Sequence, residues 1–267
     1  MEPTDGWVTF ADGALRLMPS RVALLEINAP ERRNALSLAM WTAIEAVAER
    51  VEADESIRVL LVRGAGGKAF SAGADIGEFA DVYATPESTA DYNARVRRAQ
   101  ARLRDLPRPT IAVVDGVCVG GGCGLALACD LRFAATDARF GITPARLGLA
   151  YSYADTAQLV EKVGPARAKD ILFSGRLLEA GEALAIGLVD RLAAPEALTG
   201  TVADYAEGLA ALSQTSIRAA KAIINRLADR QAESSADMDA LFSDSFSGPD
   251  FREGYAAFLA KRRPVFG

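Results

Sequence analysis

Two glycine-bearing segments contain the residue types that could do chemistry in this chain. In residues 110–130, Gly120, Gly121, Gly122 and Gly124 stand between a β-branched run and a small apolar run. This glycine content is costly, because glycine loses more backbone entropy on folding than any other residue. Backbone N–H groups at the start of a helix have no partner inside it, and the helix dipole makes that end partly positive. The order of strand, glycine loop and helix therefore favours the binding of negative charge.

The residues exclude two kinds of phosphate site here and leave two interpretations open. A Walker loop needs a lysine after its glycines, and no Lys or Arg lies between Gly116 and Cys129. A dinucleotide-binding loop needs a surrounding βαβ unit, which the flanking pattern lacks. One remaining interpretation is an oxyanion that forms during a reaction and is held by backbone N–H groups. The other is a glycine-rich helix start that packs closely against a neighbouring element.

The second segment, residues 70–76, is a run of small residues that follows an apolar stretch at 59–62. Its backbone N–H groups are free of bulky side chains and lie just before a predicted short helix. Two loops of this kind, each following a strand, can direct N–H groups at one oxygen. We therefore expect both loops to line one cleft.

The absence of histidine restricts the chemistry more than any other feature of the composition. None of the 267 residues is His, which excludes Ser-His-Asp triads, Cys-His pairs and His-ligated metals. Cys118, Cys123 and Cys129 lack C-x-x-C spacing and lie in an apolar segment, so we predict that they are small buried residues. Carboxylates, Tyr, Lys, Cys and backbone N–H groups must carry any reaction, and we predict no metal site.

The charge balance argues against two classes of partner. The chain has 30 Lys and Arg and 35 Asp and Glu, a formal net charge of −5, which disfavours nucleic acid and anionic membrane surfaces. No apolar run reaches the roughly 18 residues needed to cross a bilayer. The acidic residues at 1–5 are unlike a signal peptide. We expect a cytoplasmic protein with no nucleic-acid or membrane partner.

The spacing of apolar residues predicts an α/β fold with a helical end. Predicted strands lie at 7–10, 14–17, 22–27, 59–62, 111–114, 130–134 and 188–192, and predicted helices lie at 38–53, 76–83, 86–106, 156–163 and 165–173. Apolar residues at helical spacing, interpreted as core or subunit contacts, are Leu209, Leu212, Ile217, Ala220, Ile223, Ile224, Leu227, Leu241, Phe242 and Phe246. We divide the chain into a core at 1–194 and a helical region at 195–267.

Several local signals predict where elements begin and end. Residues 12–13 have the composition of a hairpin turn. Ser37 is a predicted N-cap, and Thr143 is another because Pro144 follows it. Asp155 is interpreted as the cap of the helix that begins at Thr156.

Five motifs in combination resemble the enoyl-CoA hydratase/isomerase (crotonase) family, and they cover nearly the whole chain in order. They are R-N-A-L at 33–36, F-S-A-G-A-D-I at 70–76, G-G-G-C at 120–123, Gly141 followed by L-G-L at 147–149, and the stretch 253–264. The resemblance implies a spiral of ββα turns with a helical C-terminal trimerisation region. It also implies a homotrimer or a dimer of trimers.

The resemblance further implies an acyl-CoA thioester enzyme, in which coenzyme A enters as part of the substrate and no separate cofactor is needed. By similarity, the N–H groups of Ala74 and Gly121 form the oxyanion hole for the thioester carbonyl. The residues expected at coenzyme A are Arg33, Ala35, Ala72, Ala74, Asp75, Ile76, Phe258 and Lys261. Arg33 would lie near the phosphates, and Phe258 and Lys261 would reach coenzyme A across a subunit boundary.

Two positions depart from the family pattern. Hydratases of the family add water with two glutamates, and these positions are Gly124 and Pro144 here. Neither residue can move a proton, which counts against hydration by two glutamates. Candidates for proton transfer nearby are Tyr151, Tyr153 and Asp155.

The stretch 143–151 is partly similar to the methylmalonyl-CoA decarboxylase branch, which has a tyrosine at the position of Tyr151. That branch has a histidine where this chain has Ala74, and usually a glutamate at Gly124. Tyr151 is therefore either a catalytic phenol or a ring packed over the acyl pocket. Three functions stay open: family hydratase or isomerase activity, decarboxylase-like activity, and a catalytically silent acyl-CoA-binding oligomer.

Overall fold

Strands and helices alternate along residues 6–229 and 249–266, which are the residues described by this computed structural model. The strands are β1 Val8–Phe10, β2 Leu15–Met18, β3 Val22–Ile27, β4 Val59–Gly64, β5 Ala69–Ser71, β6 Thr110–Val114, β7 Val117–Val119, β8 Leu131–Ala135, β9 Arg139–Gly141, β10 Leu177–Glu179 and β11 Arg191–Ala193. The helices are α1 Leu38–Ala53, α2 Phe79–Val82, α3 Pro86–Arg104, α4 Gly121–Ala128, α5 Tyr153–Ser174, α6 Ala180–Ala185, α7 Pro195–Ala210, α8 Gln214–Ala228 and α9 Pro249–Leu259.

The strands form two sheets, and successive chain turns contribute to both. The seven-stranded sheet has the order β1-β2-β3-β4-β6-β8-β11, and the four-stranded sheet has the order β10-β9-β7-β5. The pairs β4 with β5, β6 with β7, and β8 with β9 each place one strand in either sheet before a helix follows. The strands added by each turn pair in parallel with those of the turn before. This is the predicted spiral of ββα turns.

The burial of the strands follows their place in the sheet. β3 alternates between half-buried and buried residues, as expected when one face packs on the core. β6, at the centre of the seven-stranded sheet, is buried at every residue from Thr110 to Val114, which is typical of a parallel strand covered on both faces. The first glycine loop begins where β5 ends, which is buried at every residue, and the second begins where β7 ends, which is buried at its central residue. The four-stranded sheet therefore fixes where both loops start.

Several predicted ends of elements are confirmed. The Ser37 side chain caps α1 by accepting from the Met40 N–H at 3.2 Å. Gly164 has φ 74° and interrupts the helical geometry of α5, as predicted from the break between two helices. Gly175 ends α5 in the left-handed conformation.

The hairpin turn predicted at residues 12–13 is confirmed, because β1 and β2 pair antiparallel across the 3₁₀ turn Ala11–Gly13. Two other local predictions differ from the structure. The Thr143 side chain makes no capping hydrogen bond. The late strand is Arg191–Ala193, because the N–H groups of Leu188 and Val189 both donate to the Ala183 carbonyl and close α6.

The C-terminal helices differ in how they contact the sheet. In α7, the Tyr205 ring lies 5.1 Å from the ring of Phe133 in β8, and the Arg191 guanidinium lies 4.4 Å from the Tyr205 ring. Helix α8 buries few residues, and its Ile224 and Leu227 are 62% and 59% exposed. Leu212, just before α8, is 50% exposed. The predicted positions Leu241, Phe242 and Phe246 lie outside the described residues. In the described ranges, none of the helices combines the length and apolar character that a membrane crossing requires.

Candidate active site

A pocket of about 430 Å³ lies where the two glycine loops meet α3 and the segment that leads into α5. The loop after β5 contributes Ala72, Gly73 and Ala74 to its wall, and the loop before α4 contributes Gly120 and Gly121. The two predicted loops therefore do line one cleft.

The backbones of these loops lie within van der Waals distance of each other. A Cβ on Gly73 would lie 3.3 Å from the Gly121 nitrogen, and a Cβ on Gly121 would lie 3.5 Å from the Ala74 nitrogen. Neither the Ala74 N–H nor the Gly121 N–H donates a hydrogen bond to any residue in the described ranges. Two unpartnered donors therefore lie side by side in the pocket wall.

Buried hydrogen bonds hold the loop after β5 in place. The Leu36 N–H donates to the Gly73 carbonyl at 2.7 Å, and the Asp75 N–H donates to the Leu36 carbonyl at 3.0 Å. These two bonds fix the residues on either side of Ala74. Asn34 is fully buried and donates to the carbonyls of Ala65 and Ala69 at 3.0 and 2.8 Å.

The polar end of the pocket is built around Asp155. Its Oδ1 accepts from Gln100 Nε2 at 2.8 Å, and its Oδ2 accepts from Ser152 Oγ at 2.6 Å. The predicted capping role of Asp155 is wrong, because Ser152 caps α5 by accepting from the Asp155 N–H at 3.0 Å. Asp155 lies in the first turn of α5, and this places its carboxyl in the pocket.

Burial shifts the acid-base behaviour of this end. It raises the pKa of the Asp155 carboxyl above its ordinary value, while the hydrogen bonds from Ser152 and Gln100 act in the opposite direction. Burial and the negative charge of Asp155 raise the pKa of Tyr151 well above its ordinary value. Tyr151 is therefore a neutral phenol at pH 7, and its hydroxyl lies 3.4 Å from the Gly120 carbonyl oxygen.

The two positions at which the resemblance implies glutamates meet this pocket in different ways. Pro144 is part of the wall. A Cβ on Gly124 would lie 2.5 Å from Gln100 Nε2, 2.6 Å from Asp155 Oδ1 and 3.4 Å from Tyr151 Oη. The first two distances are too short for any side chain at 124 without displacement of its neighbours.

The residues predicted at coenzyme A fall into three groups. Ala72, Ala74 and Ile76 line the pocket. The carboxylate of Asp75 accepts from Arg32 and from the Gly77 N–H, and Ala35 is buried. Arg33 is exposed at φ 52°, and its carbonyl accepts from the Ala72 N–H at 2.9 Å.

Of the two C-terminal positions, the structure describes the side chain of Lys261. Lys261 is exposed at φ 49° and is not among the pocket residues. The Phe258 side chain lies outside the described residues, although its backbone belongs to α9. Tyr153 is on the pocket rim and is 91% exposed.

Sequence reasoning missed Gln100, Ser152 and Trp41. Gln100 is 2% exposed on the face of α3 that also buries Ala99 and Leu103. A polar residue within an apolar helical stripe was the available signal. Trp41 lies in the wall beside Gly121, and no sequence spacing connects α1 to that loop. In the described ranges, His, Cys, Asp and Glu form no cluster able to hold a metal ion.

Comparison with known proteins identifies the family. The family model described as enoyl-CoA hydratase/isomerase matches residues 18–267. The chain belongs to the enoyl-CoA hydratase/isomerase family. Like its relatives, this family member is an enzyme of acyl-CoA metabolism.

Individual relatives match over almost their full length. Crotonyl-CoA hydratase of Syntrophomonas wolfei is 33% identical, over 92% of this chain and 94% of the relative. A crystal structure assigned to the enoyl-CoA hydratase/isomerase family from Hyphomonas neptunium has a TM-score of 0.91 at 41% identity, and 95% and 97% of the two chains are covered. An enoyl-CoA hydratase/carnithine racemase from Magnetospirillum magneticum has a TM-score of 0.92 at 37% identity, covering 98% and 97%.

Proposed function

We propose that this enzyme binds an acyl-CoA, holds the thioester oxygen with the N–H groups of Ala74 and Gly121, and passes through a thioester enolate. The observation that carries this proposal is the pair of unpartnered N–H groups from two loops in one pocket wall. Negative charge grows on the thioester oxygen when the α-carbon becomes carbanion-like. Two pre-positioned donors stabilise that charge without reorganisation.

The test compares two substitutions at Gly121, the first residue of α4. Gly121→Pro removes the N–H at a position where proline suits a helix, and Gly121→Ala adds the same Cβ but keeps the N–H. That Cβ would lie 3.3 Å from Trp41 in both variants. We expect turnover to fall about 100-fold or more from Ala to Pro, since loss of one such donor costs about 2.7–4 kcal/mol of barrier. Equal turnover of the two variants would refute the oxyanion hole.

The net reaction is proposed from which pocket residues can and cannot transfer a proton. Gly124 and Pro144 offer no acid or base, so we do not expect rapid hydration by a pair of glutamates. Decarboxylation generates the enolate without a base, and we propose that the half-buried phenol of Tyr151, which lines the pocket, donates a proton to it. Incubation with crotonyl-CoA and with methylmalonyl-CoA, following enoyl absorbance and released carbon dioxide, distinguishes the two reactions.

A catalytically silent acyl-CoA-binding oligomer is the second candidate, because both glutamate positions lack a carboxylate. Tight binding of acyl-CoA esters without turnover would support it. Turnover that falls in Tyr151→Phe but not in Tyr153→Phe, whose side chain is exposed, would refute it.

The remaining features of the proposal concern coenzyme A and assembly. We place Arg33, Ala35, Ala72, Asp75 and Ile76 along coenzyme A. Phe258 and Lys261 are proposed to act in the pocket of a neighbouring copy. A homotrimer or dimer of trimers is supported by the exposed apolar side chains of α8, and we propose that the enzyme works in the cytoplasm without a separate cofactor.

A further inference from the structure

We infer that Asp155 is the catalytic residue that takes the α-proton of the acyl group and returns it, with Gln100 and Ser152 as positioning residues. This inference rests on the proposed function, because it needs an acyl-CoA whose thioester oxygen is held in the same pocket.

The first argument is that the polar groups of the pocket converge on one point. Asp155 Oδ1, Gln100 Nε2 and Tyr151 Oη lie 2.6, 2.5 and 3.4 Å from the position of a Cβ on Gly124. Asp155 belongs to α5, Gln100 to α3, and Tyr151 to the loop directly before α5. The glycine at 124 thus leaves room for a carboxylate that another helix supplies.

The second argument is that Asp155 is held in one orientation. Gln100 donates to one carboxylate oxygen and Ser152 to the other. The second polar atom of Gln100, Oε1, is buried and accepts no hydrogen bond from the described residues. A buried carboxylate with both oxygens engaged can exchange a proton at a fixed place, which is what general acid-base catalysis requires.

The third argument is the composition of the wall. Of the side chains that line the pocket in the described ranges, Asp155 is the one carboxylate, and Arg97 is the one basic group. The chain has no histidine. The hydroxyl of Tyr151 lies 3.4 Å from the Gly120 carbonyl oxygen. Ala74, Gly121 and Asp155 all line the pocket, so the carboxylate and the two N–H donors share one cavity.

The proton transfer balances without any further reactant. The Asp155 carboxylate takes a proton from the α-carbon, and the electron pair of that C–H bond forms the carbon-carbon double bond of the enolate. The negative charge then rests on the thioester oxygen beside Ala74 and Gly121. The reverse step returns a proton from the Asp155 carboxyl to carbon, and exchange of that proton with solvent labels the substrate.

The experiment follows deuterium entering the α-carbon of saturated acyl-CoA esters in D₂O by NMR. Butyryl-, hexanoyl- and decanoyl-CoA serve as probes. The key variant is Asp155→Asn, and the matched control is Asp170→Asn, an exposed carboxylate on the same helix that pairs with Arg176. We expect exchange to fall about 100-fold or more in Asp155→Asn and to keep the wild-type rate in Asp170→Asn. Acyl-CoA binding by calorimetry verifies that both variants are folded.

The pH dependence separates Asp155 from the other groups that face it. Three tyrosines line the same pocket: Tyr83 after α2, Tyr92 in α3, and Tyr151 in the loop before α5. Loss of solvent raises the pKa of each of them. Arg97 is the one cation in the pocket wall among the described residues. The exchange rate should rise as the Asp155 carboxyl ionises and then level off. Gln100→Met removes a hydrogen bond that lowers the pKa of Asp155, so the rise should move to higher pH. A rise only at alkaline pH would assign the step to Tyr151.

The outcomes distinguish this inference from the proposed function. If wild-type protein exchanges and Gly121→Pro does not, while Asp155→Asn exchanges at the wild-type rate, the oxyanion hole stands and the role of Asp155 is refuted. If wild-type protein binds all three esters but none exchanges, Asp155 is likewise refuted as the base. If none of them binds, the proposed function itself fails.

Discussion

The absence of a side chain at Gly124 matters for the polar end of the pocket. Its missing side chain leaves space in which Gln100 and Asp155 form their hydrogen bond. Both neighbours are ends of flexible side chains, so a methyl group would displace them more readily than it would unfold α4. The effect of a substitution should therefore appear in activity before it appears in stability.

We expect Gly124→Ala to lower turnover about 100-fold through misplacement of the Asp155 carboxyl. Steady-state kinetics and thermal melts measure the two effects separately. The matched change is Gly200→Ala in α7, where a Cβ would meet no atom within 4 Å. This control should keep full activity and gain up to about 1 kcal/mol of stability, because alanine suits a helix better than glycine. Normal turnover in Gly124→Ala would contradict our account of the pocket.

The Asp155 carboxyl should cost stability where it is ionised. Its pKa is raised in the folded protein above the ordinary 3.8, so folding is favoured below the unfolded pKa and loses stability as pH rises through the folded pKa. Asp155→Asn carries no charge. We therefore expect its melting temperature to exceed that of the wild type by a few degrees at neutral pH, and the gain to vanish below about pH 4. An equal gain at all pH values would point to packing instead of charge.

At the scale of elements, the first turn of α5 has two roles. Ser152 accepts the Asp155 N–H as the N-cap and donates to the Asp155 carboxylate. One short segment therefore begins a helix and orients the proposed base. Caps of other helices, such as Ser213 on α8, lie away from the pocket.

We expect Ser152→Ala to destabilise the fold by about 1 kcal/mol. In the wild type, the hydrogen bond from Ser152 lowers the pKa of Asp155. Its loss should therefore move the pH dependence of activity to higher pH. Ser213→Ala should cost at least as much stability, since Ser213 also donates to Asp250 at 2.6 Å. Its pH profile should match that of the wild type. Denaturant unfolding and pH-rate curves measure both properties.

The elements that the sequence predicted well have strong periodic patterns. The β-branched run of β6 and the Ser37 cap of α1 were predictable because local residues determine them. The position of β11 was not, since Leu188 and Val189 close α6 through a contact that no spacing rule contains. Asp155 was misassigned because its nearest signal was the helix start, whereas its partner Gln100 comes from a distant helix.

At the scale of the whole molecule, α8 presents apolar side chains that the described residues 6–229 and 249–266 leave exposed. Ile224 and Leu227 are 62% and 59% exposed. Apolar area of this kind on a helix face is typical of a contact surface. The sequence pattern left open whether Ile224 and Leu227 are core residues or subunit contacts. Their exposure favours subunit contacts, which stays a prediction.

We expect the double change Ile224→Asp with Leu227→Asp to reduce the proposed trimer to single chains, because two charges cannot be buried without partners. Light scattering coupled to size-exclusion chromatography measures the mass. Ile224→Leu with Leu227→Ile keeps the apolar area and should leave the assembly unchanged. A wild-type mass equal to that of one chain would refute the proposed trimer.

The spiral of ββα turns was implied by the family resemblance. The meeting of its two loops could be predicted, because each glycine segment follows a predicted strand. The acyl group could not, since the pocket wall combines residues from α1, α2, α3 and the 143–155 segment that are distant in sequence. Chain order alone does not determine how Phe79, Tyr83 and Val96 shape that wall.

Three buried thiols next to the glycine loop can be used to detect opening of the core. Cys118, Cys123 and Cys129 are fully buried, and burial raises the pKa of Cys118 well above its ordinary value and that of Cys129 to about 12. Only a thiolate attacks an alkylating reagent, so iodoacetamide should label these positions only in molecules whose core has opened. Mass spectrometry of the adducts would then measure how often the core opens. A bound acyl-CoA should stabilise the folded state and slow the labelling.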